Sequence, residues 1–544
     1  MIRLTLVVAL VALLVTPAMA DNWQMAQRDM WNTGRANWLI AEDDTIFDNI
    51  LWQTPVVGTS LNSTSMTFYD GAYNGLDIVL GTYHGMGIQG MDRHTGSLFW
   101  SGNPDAGEQL AQTTPAFSND GSIVYAANTY PAGCSAWYTT ADPTAFWDNS
   151  GDPSPGHLNL WSPTIAPDGR IFLHEPGGLH YAGTDTPGVK ISETWAAATS
   201  TNPSRNDPAL YMKGDDLVVV SSGMSTLVTA WNGATGAQLW STTVPVSGGN
   251  ANVTIDPANG NIYLACGWST DIWVVGLDID GNRLWDDNKV WDASVGGAQL
   301  VNTSGCLSHD GSTYYFPTHS HPGYDAAQLN AINTADGSLK WSYATGCSVW
   351  TGLSSSPIVT PNGVIIVGNN NGGGTFYAIK DAGTHGTVLD TFVVDATGIA
   401  CQSATLADDG KLYLPLRTVW VASNGDDDVP DGSVQNLFTC FQTTLNVVPG
   451  DVDGNGVVDG LDLTAVLTAW DTVPGDPLWN EDADLDDNDV VNGLDLTEVI
   501  SNWTTAAVAA PKASPAEAVT SGLDTSTKPG RGDVNRGKGN VRRK

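Results

Sequence analysis

The chain has 544 residues, among them 60 glycines and 21 tryptophans, and carries a formal net charge of −36. Its length exceeds what one small core organises and predicts two or more domains. The acidity excludes nucleic acid and anionic membrane surfaces as partners, and a composition rich in Gly and Trp but only 15% charged predicts a turn-rich β protein.

Residues 1–20 read as a signal peptide. Arg3 gives the positive start, Leu4 to Val15 the apolar core, and Ala18-Met19-Ala20 the small-residue cleavage site. The apolar run is too short to span a bilayer, and no later stretch reads as a transmembrane helix. No Cys sits just after Ala20, which argues against a lipid anchor. The expectation is a secreted or cell-surface protein.

From about residue 65 to 445 one unit recurs. A short apolar strand enters an Asp-Gly or Asn-Gly turn and leaves as a strand rich in Tyr, Ile and Val. Examples are Asn119-Asp-Gly-Ser-Ile-Val-Tyr125, Pro167-Asp-Gly-Arg-Ile-Phe172, Pro361-Asn-Gly-Val-Ile-Ile366 and Asp408-Asp-Gly-Lys-Leu-Tyr413. Such dipeptides supply the positive φ angles that tight hairpins need. A second hairpin closes many units, as in His94-Thr-Gly-Ser-Leu-Phe-Trp100, Ala234-Thr-Gly-Ala-Gln-Leu-Trp240, Asp280-Gly-Asn-Arg-Leu-Trp285 and Ala335-Asp-Gly-Ser-Leu-Lys-Trp341. With Trp147 and Trp195 these tryptophans fall 47, 48, 45, 45 and 56 residues apart. Two hairpins per ~40–50 residues describe a four-stranded propeller blade.

First-hairpin turns from Asp70-Gly71 to Asp409-Gly410 count eight blades, so residues 21–445 are expected to form an all-β eight-bladed propeller. Each terminal Trp is expected to bury ~150–250 Å² between blades rather than to bind a ligand. Ring closure requires a strand from the amino-terminal side, which Trp23-Gln-Met-Ala-Gln27 is predicted to supply. The six cysteines, Cys134 to Cys440, permit up to three disulfides or remain buried thiols.

The Thr-Gly-x-x-x-Trp endings and the opening Trp23-Gln-Met-Ala-Gln-Arg-Asp-Met-Trp-Asn-Thr-Gly34 resemble the pyrroloquinoline-quinone-repeat, quinoprotein-dehydrogenase-like propellers. That resemblance covers residues 22–445 and implies a fold more than a function. Enzymes of that family use a disulfide between adjacent cysteines over the quinone, and this chain has no Cys-Cys pair. No quinone cofactor is therefore expected. His319-Ser-His321, the pair His174 and His180, and the acidic run Asp426 to Asp431 are the remaining polar clusters. Loop histidines and a solvated acidic loop account for them. No catalytic residue is assigned.

Two acidic stretches follow, Asp451-Val-Asp-Gly-Asn-Gly-Val-Val-Asp-Gly-Leu-Asp462 and Asp484-Leu-Asp-Asp-Asn-Asp-Val-Val-Asn-Gly-Leu-Asp495, starting 33 residues apart. Residues 451–503 contain 14 Asp or Glu and no Lys or Arg. Oxygen-bearing side chains stand at loop positions 1, 3, 5, 9 and 12, the alternation a calcium loop needs, with a backbone carbonyl at position 7. Behind each loop an apolar set falls at i, i+3, i+4, i+7: Leu463, Val466, Leu467, Trp470, and Leu496, Val499, Ile500, Trp503. These predict one buried face on each of two short helices. Residues 446–505 are thus expected to be a small all-α, duplicated, EF-hand-like calcium domain.

This segment resembles a type I dockerin, the module that docks onto cohesin domains. The resemblance implies Asp451, Asp453, Asn455, the Val457 carbonyl, Asp459 and Asp462 as ligands of one calcium. It implies Asp484, Asp486, Asn488, the Val490 carbonyl, Asn492 and Asp495 as ligands of a second. Asp489 stands where the loop turn favours Gly. Gly460-Leu461 and Gly493-Leu494 stand where the family's partner-reading polar pairs are usual.

Residues 506–544, with Lys528, Arg531, Arg536, Lys538, Arg542, Arg543 and Lys544, read as a disordered basic tail. The expected function is a secreted calcium-binding protein whose propeller is a binding or surface-assembly module, attached through its dockerin-like domain to a cohesin-like or cell-surface protein. The alternative is a polysaccharide lyase or glycoside hydrolase delivered to a polysaccharide; a quinone-dependent enzyme is not expected.

Overall fold

The computed structural model describes residues 22–503 except 57–64, 84–86, 103–108, 111–113, 131, 140–144, 149–161, 176–177, 185–194, 198–206, 224, 248–250, 297–298, 302, 321–326, 346–354, 370–373, 395–402, 418–435, 446–447, 453–456, 475, 477 and 486–487. The fold is propeller-like and mostly β. Successive antiparallel sheets span 67–102, 109–148, 164–197, 209–243, 254–291, 306–344 and 358–393, and a further one joins 405–442 to Ile50–Val56. A small extra sheet links Trp268–Thr270, Gln299–Leu300 and His319–Ser320. Gly121, Gly169, Gly260, Gly311, Gly363 and Gly410 hold positive φ, but the Asp or Asn before each does not, so these are not the two-residue turns expected. Gly121, Gly169, Gly311, Gly363 and Gly410 each close a four-residue turn as its last residue, as where Gly121 N donates to the Ser118 carbonyl.

Tryptophans join neighbouring sheets. The indole nitrogens of Trp195, Trp240 and Trp285 donate to the carbonyls of Gly233, Ile279 and Thr334 in the next sheet, at 3.2, 2.8 and 3.1 Å. Trp341 Nε1 donates to Asp381 Oδ1 at 2.8 Å. Trp52, which the repeat pattern did not reveal, does the same across the ring seam to the Arg93 carbonyl at 3.2 Å. Trp100 and Trp147 have side chains outside the described set.

Ring closure differs from the expectation. Ile50–Val56, not Trp23–Gln27, pairs with Asn436–Gln442. Residues 22–41 instead run from one inner strand to the next. The carbonyls of Trp23, Gln24, Met30, Trp31, Thr33 and Gly34 accept from the amides of Phe68, Phe117, Leu210, Ile255, Leu307 and Val359, at 2.6–3.0 Å, and Ala41 donates to Thr444. The segment therefore visits the sheets in ring order. Left-handed backbone at Gln27, Arg28, Asn32 and Gly34 provides the bends that this course needs.

Three residues before each strand residue that meets this segment, or its equivalent, stands a small polar side chain: Ser65, Thr114, Ser162, Asp207, Asn252, Ser304, Ser356 and Ser403. Ser65 N donates to Thr114 Oγ1, Thr114 N to Ser162 Oγ, Asp207 N to Asn252 Oδ1, Ser304 N to Ser356 Oγ and Ser356 N to Ser403 Oγ, at 2.8–3.2 Å. Ser403 bridges back to Ser65. A polar belt thus links most neighbouring inner strands, because amides at strand starts need acceptors that the sheets do not supply.

Cys266, Cys306 and Cys440 are buried free thiols on separate sheets, so three disulfides cannot form. Burial pushes the Cys266 and Cys440 thiols up to about 12. Cys347 and Cys401, and the side chain of Cys134, lie outside the described residues.

Residues 448–503 carry two helices, Gly460–Thr468 and Gly493–Ser501, and a short 3₁₀ turn, Glu481–Ala483. Val452, Val458, Val466, Ala469, Ala483, Val491 and Val499 form their core. The predicted helical faces are only half right. Val466 and Val499 are buried and Leu463 and Leu496 partly so, whereas Leu467, Trp470, Ile500 and Trp503 are exposed. The inward stripe is Asp462, Val466, Ala469, and its equivalent starts at Asp495, because each terminal loop carboxylate must turn in to close its loop. Residues 504–544 lie outside the described set.

Candidate functional site: the duplicated acidic loops

Each loop runs into its helix through a capping box. In the first, Asp459 is the N-cap: its Oδ1 accepts from Leu461 N at 2.8 Å, while Asp462 Oδ2 accepts from Asp459 N at 2.7 Å. Asp462 Oδ1 also accepts from Val452 N at 2.7 Å, tying the last loop position to the second. In the second, Asn492 Oδ1 accepts from Leu494 N at 2.9 Å and Asp495 Oδ2 from Asn492 N at 2.7 Å. The two ends are therefore built alike. Capping of this kind satisfies amides that the helix leaves open, and carboxylates suit the positive helix end.

The second loop is described further along its length. Asp484 accepts from Asn488 N at 3.1 Å and from Asp489 N at 2.8 Å, and Asn488 Oδ1 accepts from Val490 N at 3.0 Å. The loop folds around its first residue. Asp489 sits at φ +64°, the left-handed conformation expected of the turn position that favours Gly. The Val490 carbonyl accepts from Asn492 Nδ2 at 2.7 Å. The second loop is tied to the turn after the first helix, Asp471 N donating to Val491 O at 2.8 Å and Val491 N to Thr472 O at 3.2 Å.

Of the ligand positions expected from sequence, Asp451, Asp462, Asp484 and Asp495 are buried, and Val457, Asp459, Asn488, Val490 and Asn492 are described around them. Asp453, Asn455 and Asp486 lie outside the described residues. Among the described residues no three acidic, His or Cys side chains are placed to hold a metal. The donor set is all oxygen, and buried carboxylates in a segment without one Lys or Arg suit a hard divalent cation.

His174, His180 and His319, read as loop residues, lie on strands, and His174 and His180 are not brought together. His174 is fully buried, and the strand register sets His180 opposite Leu173, not opposite His174. His319 pairs with Leu300 in the small sheet, while His321 and the run 426–431 lie outside the described residues. A polar cleft of about 660 Å³ is lined by Tyr315, Lys340, Asn362, Asp381 and, from the first loop, Val457 and Asp459. Its Asp381 accepts from Tyr315 Oη at 2.7 Å and Gly383 N at 2.7 Å, besides Trp341. Against the cost of burial, these bonds and the Lys340 charge hold Asp381 below the usual carboxylate range. The cleft floor is thus a structural junction.

The sequence placed Leu467, Trp470, Ile500 and Trp503 on buried faces, whereas they stand exposed with Leu461 and Leu494. Leu461, Leu467 and Trp470 are 63, 49 and 43% exposed, and Leu494, Ile500 and Trp503 are 60, 58 and 40% exposed. Each of the second set stands 33 positions after its counterpart. Comparing exposure-prone apolar residues between the two copies was the signal that finds them.

Residues 192–424 match the PQQ-type repeat family described as outer membrane protein assembly factor BamB, over less than half of the chain. Quinohemoprotein alcohol dehydrogenase from Comamonas testosteroni is similar with a TM-score of 0.55 at 11% identity, over 80% of this chain and 82% of that one. A europium-containing methanol dehydrogenase gives 0.52 at 11%, over 77% and 98%. BamB from Moraxella catarrhalis gives 0.45 at 14%, over 72% and 98%. At these identities the likeness to the dehydrogenases shows the fold alone. No curated protein matches the chain.

Proposed function

We propose that this chain is an exported, eight-bladed propeller carrying a dockerin-like module that binds two calcium ions and attaches the ring to a cohesin-like or other cell-surface protein. The observation that carries the reading is the repeated exposed triad, Leu461/Leu467/Trp470 and Leu494/Ile500/Trp503. Large apolar side chains held in water at matching places in both copies mark a contact surface. Calcium at Asp451 to Asp462 and Asp484 to Asp495 orders the loops that start both helices, so ion binding and presentation of the triads are coupled. Eight blade-like sheets in ring order support the blade count, and the repeat shared with an assembly-factor family supports a binding or assembly role for the ring over catalysis.

The test is calorimetry of the full chain with calcium, followed by retention of cell-envelope proteins on the immobilised chain with and without chelator. Two binding events are expected, reduced to one by Asp462→Asn or Asp495→Asn. Retention is expected to need calcium and to vanish in Leu461→Asp/Leu494→Asp. Absence of calcium heats sinks the metal assignment, and retention indifferent to chelator sinks the docking assignment.

A further inference from the structure

We infer that residues 22–41 form a detachable keystone: the ring offers its inner strands as a site for a repeatedly turning peptide, and this segment fills that site in cis. The inference concerns the ring and holds whether or not the C-terminal module binds calcium.

Three observations carry it. First, the ring is closed without the segment, because Ile50–Val56 completes the last sheet through six paired residues. Second, the segment adds no strand to any sheet. It gives one backbone carbonyl to each of six inner strands and takes one bond back, where Ala36 N donates to the Val359 carbonyl. It forms only single bridges to those strands, at Phe68 and Val359, so it can leave without opening a sheet. The first of these bonds, Trp23 to Phe68, lies next to the Asn22 side chain, which accepts from Asp70 N at 2.9 Å. Third, the bound segment is both strained and incompletely satisfied. Gln27, Arg28 and Asn32 hold positive φ without being Gly, and the buried Trp23 Nε1 and Gln27 Oε1 lack a protein hydrogen-bond partner. Strained, under-satisfied backbone persists where the surroundings over-determine it.

The chemistry of the occupant follows from the contacts. The site takes carbonyls that a turning chain points outward and buries Trp23, Met25, Met30, Ala36 and Ile40. It also seats one guanidinium: Arg35 Nη2 donates to the Ser308 carbonyl at 2.6 Å and lies 3.7 Å from Asp256. A second copy's residues 22–41 fit equally, which gives a route to exchange between rings. Beyond the segment, residues 42–45 are exposed before Ile46 and Phe47 bury again, so the hinge is accessible while the clasp stays anchored.

The experiment replaces Asp43-Asp44-Thr45 in the full chain with a site-specific protease sequence, cuts the folded protein, and adds excess labelled peptide of residues 22–41. Label is expected to enter at one per ring while the far-ultraviolet spectrum stays unchanged, and a peptide with Trp23→Ala is expected to compete about tenfold more weakly. No incorporation below the unfolding temperature, or release only with loss of the β spectrum, overturns the inference. Hydrogen exchange on the uncut protein gives a second reading independent of the engineered site. The amides of Phe68, Leu210, Ile255 and Leu307 are expected to exchange faster than those of Val219 and Leu264 within the sheets; equal protection overturns it.

Discussion

The indole of Trp240 lies on Gly281: its Nε1 donates to the Ile279 carbonyl at 2.8 Å, and a Cβ on Gly281 would fall 2.6 Å from the ring. The same fit recurs for Trp52 on Gly96, Trp195 on Gly236 and Trp285 on Gly337. Each glycine holds positive φ, so it serves both the turn and the neighbouring indole.

This double role separates two costs. Gly281→Ala adds the left-handed penalty, about 1 kcal/mol, to overpacking of about 1–3 kcal/mol. Gly214, at φ +63° with open space around it, isolates the first. Urea unfolding is expected to show Gly281→Ala as the more destabilising by about 1–3 kcal/mol. Equal losses contradict inter-sheet packing as the reason for glycine at this turn.

How much of this was legible follows from the kind of signal. The Asp-Gly turns and terminal tryptophans are local patterns, and they located the sheets. The course of Trp23 to Ile40 was not legible, because single carbonyls given to successive strands leave no alternation in sequence. The belt from Ser65 to Ser403 left only small polar residues at a fixed offset from each inner strand, a pattern visible once the strands are aligned. On the helices, Asp462 and Asp495 took the inward stripe that the apolar spacing had assigned to Leu463/Leu467 and Leu496/Ile500. A module this small has room inside for few side chains, and the loops claim two of them.

Asp207 makes the belt pH-sensitive. Burial raises its carboxyl to about 7, against hydrogen bonds from Asn252 and Ser162. Because the folded state keeps this proton longer than the unfolded chain, the stabilisation is complete below the ordinary carboxylate range and is lost as pH rises to about 7. Asp70 is raised to about 7 as well, chiefly by burial, so it adds to the same trend. Asp207→Asn keeps the acceptor for Asn252 and removes one titration. Chemical unfolding at several pH values between 4.5 and 6.5 is expected to give a slope shallower than the parent's by up to about 1.4 kcal/mol per pH unit. Identical slopes exclude Asp207 as the titrating group.

Asp489 at φ +64° carries the same left-handed penalty within the second loop. Asp489→Gly relieves about 1 kcal/mol, equivalent to about fivefold tighter calcium binding at that loop if the strain is borne in the ordered state. The removed carboxylate lies outside the ligand positions 1, 3, 5, 9 and 12, so its charge opposes the gain less than loss of a ligand does. Calorimetry on the full chain resolves the two sites when the first is weakened by Asp462→Asn. Unchanged affinity refutes strain at Asp489 as the limit.

Arg93 secures the seam where the first and last sheets meet. Its guanidinium lies 3.0 Å from Asp70, 3.1 Å from Asp408 and 3.3 Å from Asp409, and 4.9 Å above the Phe68 ring. Its carbonyl accepts from both Trp52 Nε1 and Tyr413 Oη, at 3.2 Å each. One buried cation thus holds three carboxylates from opposite sides of the closure. Arg93→Met keeps the apolar stem over Phe68 but takes the cation from Asp70 and Asp408, while Asp409 keeps Lys411. With these carboxylate side chains 23–34% exposed, the loss is about 1.5–3 kcal/mol, that of hydrogen bonds to a charged group. Arg93→Lys recovers only part, because a point charge cannot reach three partners and stack at once. Urea unfolding measures the loss. Hydrogen exchange locates it, with early exposure of the Ile50–Val56 and Asn436–Gln442 amides expected, since the strand pair beside the seam opens before sheets on the far side. Uniform loosening of all sheets excludes Arg93 as the seam's clamp.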